Sequence, residues 1–110
     1  MKQQNKVFSM LGLATRAGRI ASGEFMTETS VKKGKAVLVI VAGDASDNTK
    51  KMFTNMCSFY EVPIYFYGTK ETLGHAIGKD IRASLAVLDE GFANSIIKNI
   101  EAEMRNASTE

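Results

Sequence analysis

The run AVLVIVA, residues 36–42, limits the possible folds more than any other stretch of this 110-residue chain. It is the longest apolar segment and is rich in β-branched side chains. Such side chains lose rotamer freedom in a helix and pack well on a pleated surface, so the run reads as a strand. It does not alternate between apolar and polar residues, so both faces of that strand must be covered. That describes a central strand in a parallel arrangement with helices on either side. The run is also far shorter than the ~20 residues of a membrane span, so no membrane contact is expected.

The flanking segments supply the helices. Val7, Phe8, Met10, Leu11 and Ala14 recur at helical spacing and predict a first helix over about residues 4–16, ended by Gly18. Arg19-Ile20-Ala21 is a short candidate strand. Ser22 has the chemistry of an N-cap, and Glu24 follows where the helix dipole favours an acid. A second helix is therefore expected up to Lys32-Lys33, stopping at Gly34. Gly43-Asp44-Ala45-Ser46 reads as a turn, with Ser46 capping a third helix whose apolar stripe is Phe53, Met56, Cys57 and Tyr60. Pro63 stops that helix and opens the strand IYFY (64–67).

Thr69 then caps a short helix containing Leu73, Ala76 and Ile77, ended by Gly78. SLAVL (84–88) is another strand, and Phe92, Ile96, Ile100 and Met104 mark a last helix before a polar, frayed tail over 106–110. The order predicts an α/β fold: a three-layer αβα sandwich with helices on both faces of a small mixed four-stranded sheet. Residues 1–110 form one domain, with an ordered core over about 4–104 and no internal repeat.

Composition narrows the function classes. Apolar residues at 45% and charged residues at 24% describe a globular domain and not a disordered one. The single cysteine, Cys57, excludes an internal disulfide and a Cys-rich metal site. MKQQNKVF has no apolar signal core, and a cytoplasmic location is expected. Net charge is only +2, but residues 1–55 carry nine Lys/Arg against four acids, whereas residues 56–110 carry five against eight. A near-neutral chain with one basic half can present a positive face to a polyanion.

Catalytic constellations are missing from the sequence. His75 is the only histidine, so a two-histidine metal site is unavailable. Cys57 belongs to an apolar stripe, where a cysteine is a small core residue. Gly18 to Gly23 has the spacing of a phosphate loop but lacks the following Lys-Ser/Thr. Asp89-Glu90 follows a strand, where α/β enzymes place acids, but acids there also cap the next helix. No enzyme, metal or cofactor is therefore expected.

The stretch LGLATRAGRIASGE, residues 11–24, carries the binding chemistry. Glycine leaves main-chain N–H groups bare, and a helix N-terminus at Ser22 to Phe25 offers unpaired donors with a partial positive charge. Arg16 and Arg19 add guanidinium forks that match phosphate or stack on bases, and Lys32 and Lys33 at the far end of the helix can track a backbone. This combination suits nucleic acid better than a small substrate. The plainer alternative is a helix cap with solvated arginines.

Four segments in order, LGLATRAGRIASGE, KKGKAVLVIVAGDAS, LGHAIGK and LAVLDEGFA, resemble the kink-turn RNA-binding ribosomal protein superfamily (large-subunit proteins seven-Ae and thirty-e) and its bacterial YlxQ branch. Gly23 opening the second helix, Lys33-Gly34 closing it, and Leu73, Gly74, Ala76 and Gly78 carry the likeness. The resemblance implies a thirty-e-like sandwich and a non-catalytic role in the translation or transcription machinery. It also implies an RNA surface at Gly23, Glu24 and Phe25, at Asp44 with Ala45, and at Arg82, Ala83 and Ser84. Structured RNA, ribosomal or otherwise kink-turn-like, is the implied partner of a monomer that works on or off the ribosome.

Kink-turn binders carry a polar or basic residue, a polar partner and a lysine where this chain has Phe25, Met26 and Thr29, so shape, stacking and phosphate contact replace those contacts. Two rival readings remain. Phe25 and Met26 could instead meet a protein partner on a fold that has lost RNA, or Asp89 and Glu90 could serve a small-ligand enzyme.

Overall fold

The computed structural model describes residues 5–108. Its elements run α1 (Lys6–Arg16), β1 (Ile20–Ser22), α2 (Glu24–Lys32), β2 (Leu38–Val41), α3 (Asp47–Tyr60), β3 (Ile64–Phe66), α4 (Lys70–Ala76), β4 (Ser84–Val87) and α5 (Glu90–Ser108). The four strands form one sheet in the order β1-β4-β2-β3. β2 is fully buried along its whole length, as its unbroken apolar sequence requires. Helices α2 and α3 pack together over one face, and α1 packs with α4 and α5 over the other. The result is the expected three-layer sandwich.

The strand directions differ from the simplest reading of the β-branched run. β2 is parallel to β3 but antiparallel to β4, and β4 is antiparallel to β1. Two-sided burial needs only a helical layer on each face, and that layer covers a strand of either direction.

Several boundaries also move. The first helix starts at Lys6, because the Asn5 side chain accepts a hydrogen bond from Phe8 N at 2.9 Å; the expected start at residue 4 lies outside the described residues. In α3, Phe53 and Cys57 are buried, whereas Tyr60 at the helix end is exposed. Glu61, in the left-handed region at φ 58°, turns the chain before Pro63 is reached. α5 stays helical through Ser108, so fraying does not begin at 106; residues 109–110 lie outside the described residues. Ser46 and Thr69 cap α3 and α4 as expected, Thr69 within a capping box.

One close approach shapes the pole at the loop before β4. A Cβ on Gly74 would lie 2.6 Å from the Asp80 carbonyl oxygen and 2.9 Å from Ile81 N. Only glycine lets α4 and the loop before β4 pack this tightly. Lys79 N donates to Gly74 O at 2.7 Å, and Arg82 N donates to Lys70 O at 3.0 Å, which fastens the loop against the helix. On the opposite edge of the sheet, Tyr65 donates to Glu101 at 2.6 Å and Tyr67 to Glu103 at 2.7 Å. Those bonds tie β3 to α5.

Candidate nucleic-acid interface

β1 leads into α2 with no intervening loop. Gly23 makes the corner at φ 92°, ψ 161°, a combination open essentially only to glycine. Its N–H still belongs to the sheet and donates to Ser84 O at 3.0 Å. Its carbonyl already belongs to the helix and accepts from Thr27 N at 2.9 Å. No side chain caps this end, so the first-turn amides of Glu24, Phe25 and Met26 are left for an outside acceptor. Ser22 was the expected N-cap. It lies instead in β1, where the corner at Gly23 turns its hydroxyl away from the helix end to accept from Arg82 Nε at 3.2 Å.

That bond aims the Arg82 side chain. A second bond, from Arg82 Nη1 to Ile81 O at 2.7 Å, holds the guanidinium close to its own loop. A Cβ on Gly23 would be 4.0 Å from Arg82 Nε, so guanidinium and helix start lie side by side. The loop after β2 joins them. Ala42 N donates to Ala83 O at 2.9 Å, and Asp44 Oδ1 accepts from Lys70 N at 2.8 Å. Gly23, Asp44 and Arg82 thus meet at one pole although they come from three separate segments. Phe25 is 74% exposed, Met26 49% and Ile81 58%, which rims the pole with apolar groups.

Other residues singled out from sequence lie elsewhere. Ser84 is fully buried with its hydroxyl 3.4 Å from Thr27 Oγ1, because β4 is covered on both faces; it offers the site its carbonyl and not its side chain. Ala83 is partly buried against the core. Arg19 is at the opposite end of β1 from Gly23, where its carbonyl accepts from Leu88 N. Four steps of extended chain, across Ile20 to Ser22, separate the two by about 13 Å. Arg16 lines a groove between α1 and α4 with Phe8, Leu13 and Ala76. The two arginines therefore do not flank the helix start, as the short sequence distance had suggested.

Sequence reasoning named Lys33 and Arg82 but missed Lys35 and Lys79, which join them along the β1 edge. Beside the edge strand β1 runs a groove whose lining includes Lys33, Lys35, Lys79 and Arg82, together with Met26 and Thr29. No carboxylate lines it. In the β1–β4 register Ile20 and Ser22 occupy the non-hydrogen-bonded positions, so their main-chain groups turn outward along this open edge. Lys35 and Lys79 stood in the KKGK and LGHAIGK segments. Only the sheet order, with β1 outermost, brings them to one groove.

Cys57 and His75 do not come together. Cys57 is buried on α3 and His75 is exposed on α4, on opposite faces of the sheet. Burial pushes the Cys57 thiol up to about 11. Asp89 Oδ2 accepts from Phe92 N at 2.9 Å and so caps α5. No group of three His, Cys, Asp or Glu is placed to hold a metal among the described residues. Among the same residues, no helix is long and apolar enough to cross a membrane.

Known proteins match both the chain and its shape. The "RNA-binding protein YlxQ" of Bacillus subtilis (strain 168) is 40% identical over 94 residues, which cover 86% of this chain and 94% of that protein. A solved Bacillus halodurans protein described as of unknown function superposes with a TM-score of 0.86 at 37% identity, over 89% of this chain and 99% of its own. The Giardia lamblia 15.5kD RNA binding protein shares the fold with a TM-score of 0.73 at 23% identity, over 87% of this chain and 82% of its own. The model of the Ribosomal protein L7Ae/L30e/S12e/Gadd45 family matches residues 5–97, nearly the whole described structure, and the chain belongs to that family.

Proposed function

We propose that this protein is a single, non-catalytic RNA-binding domain that recognises structured RNA at the pole formed by Gly23 to Phe25, Asp44 with Ala45, and Ile81 to Ala83. The observation that carries the reading is the uncapped start of α2 with Arg82 fixed beside it, opening onto a groove lined by four cations and no acid. Main-chain amides at Glu24 and Phe25 seat a phosphate, and Arg82 supports it. Lys79, Lys35 and Lys33 carry the backbone along the β1 edge towards Arg19. Phe25 stacks on an unpaired base, with ~1–3 kcal/mol lost on truncation.

The YlxQ likeness and the family match support RNA as the polymer. Recognition rests on shape, stacking and phosphate contact, because Phe25 and Met26 are apolar and Thr29 stands where kink-turn binders carry a lysine. The protein acts as a cytoplasmic monomer on ribosomal RNA or another RNA with a kink-turn-like bend.

Gel-shift titration against a kink-turn hairpin at several salt concentrations tests this. Arg82→Ala is expected to weaken binding and to flatten the log–log salt slope by about 0.7–0.9 per lost phosphate contact. An Arg82→Ala, Lys79→Ala double variant with unchanged affinity overturns the site. The exposed trio Phe25, Met26 and Ile81 also fits an apolar protein partner. Capture of such a partner through Phe25 from RNase-treated lysate, with no hairpin binding, favours that second reading.

A further inference from the structure

The pole opposite the proposed RNA site carries an aromatic pair that neither the core nor that site uses. Phe59 is 79% exposed, the most exposed large apolar side chain among the described residues, and Tyr60 is 41% exposed. Their rings meet edge to face with centroids 4.9 Å apart and an interplanar angle of 79°. That arrangement leaves ring faces open while each ring steadies the other. Both residues lie at the C-terminal end of α3, far from Ser46, where the helix starts beside the RNA pole.

The surroundings are cationic and continuous with the groove. Tyr60 lies near Lys32, at the end of α3 where that helix packs against α2. Lys33 follows Lys32 in the chain and lines the β1-edge groove together with Lys35. Two acids are near this end: Glu28, already engaged with Lys32 at 2.7 Å, and Glu61, which follows Tyr60. With Lys32 and Glu28 paired, Lys33 and Lys35 remain against Glu61, a balance that favours an anionic ligand. Open ring faces beside lysines form the usual platform for unstacked nucleotides.

We propose that Phe59 and Tyr60 form a second contact, for single-stranded RNA leaving the structured element along the β1-edge groove. The backbone passes Lys33 and Lys32 around the end of α2, and one base stacks on the Phe59 ring. This inference rests on the reading of the first site, and its test separates the two.

The probe is a kink-turn hairpin with and without an unpaired oligouridine tail of roughly eight nucleotides. The tail should tighten binding by the wild-type protein at least about fivefold, the lower end of what one stacked base contributes. Phe59→Ala should remove that gain and leave binding of the tail-less hairpin unchanged. Phe59→Trp should retain the gain and report it directly, since the chain has no tryptophan and indole fluorescence would be quenched by the stacked base. A tail that adds nothing, or a gain that survives Phe59→Ala, overturns the inference while the first site stands. A protein captured through Phe59 in RNase-treated lysate, with no gain from the tail, overturns it in favour of a protein contact. Failure of the tail-less hairpin to bind at all refutes the first site instead.

Discussion

Alanine at Gly74 tests whether the approach of α4 to the loop before β4 is as tight as the contacts indicate. The added Cβ would meet Asp80 O at 2.6 Å, Asp80 C at 2.8 Å and Ile81 N at 2.9 Å, all main-chain atoms. Comfortable contact begins near 3.5 Å, so the loop must retreat by roughly 0.9 Å. Retreat stretches the bonds from Lys79 N to Gly74 O and from Arg82 N to Lys70 O. Overpacking costs about 1–3 kcal/mol and a weakened hydrogen bond about 1 kcal/mol more. Alanine recovers about 1 kcal/mol in a helix interior.

The net expectation is a loss of about 1–3 kcal/mol, or a melting temperature lower by roughly 4–12 °C for a domain of this size. Gly12→Ala is the matched control. Its Cβ would find nothing nearer than Ala76 O at 3.4 Å, in the middle of α1, so the same substitution should raise stability by about 0.5–1 kcal/mol. Thermal melts followed by circular dichroism give both numbers. The displaced loop also carries Arg82, so Gly74→Ala should weaken hairpin binding well below its melting temperature while Gly12→Ala should not. A Gly74→Ala protein that melts at or above the wild type, with full RNA affinity, would refute the packing argument and the role it assigns to the loop.

Two further expectations follow from titratable groups. Burial and the bond to Glu103 raise the Tyr67 hydroxyl from 10.0 to about 12, against a lowering contribution from Asn5. Because the folded value lies above the unfolded one, this contribution is fully present below about pH 10 and is lost as pH rises towards 12. Tyr67→Phe should therefore flatten the alkaline fall in melting temperature, and ultraviolet titration should lose a late-ionising tyrosine in that variant, while Tyr65, raised by its bond to Glu101, still ionises above the ordinary value. Cys57, buried and pushed up to about 11, should react with a thiol reagent at neutral pH only slowly in the native protein and promptly in urea. Fast native labelling would mean that the α3 core opens readily.

The layers of the fold were legible because each rests on a local pattern. The β-branched run at 36–42 required cover on both faces, and Phe53 and Cys57 marked the inner face of α3. Strand direction was not legible there, since Val39 is equally buried beside a parallel or an antiparallel neighbour. The cap of α2 was misplaced because Ser22 and Gly23 are both plausible caps, and the choice depends on Ser84 and Arg82, some sixty residues on. The arginines failed for the opposite reason. Arg16 and Arg19 are close to Gly23 in sequence, but a strand between them and the helix start turns four residues into distance. Arg82 is remote in sequence and adjacent in space. Phe59 carried no signal at all, because an exposed phenylalanine on a helix looks the same in sequence as a buried one.

Strand order also turns an uneven charge in sequence into a direction in space. β1 and β3 are the two outer strands, separated by three inter-strand spacings, about 14 Å. The β1 edge is lined by Lys33, Lys35, Lys79 and Arg82. The β3 edge is bordered by Glu101 and Glu103, which accept hydrogen bonds from the Tyr65 and Tyr67 hydroxyls. Lys79 and Arg82 come from the half of the chain that is acidic in total, so summing charge by halves could not have located the positive edge. A polyanion meeting this domain is drawn to one side of the sheet and repelled from the other, and a net charge of only +2 is enough because the charges are segregated. The open main-chain groups of β1 would otherwise invite pairing with another strand, and the same lysines proposed to hold RNA guard that edge against it.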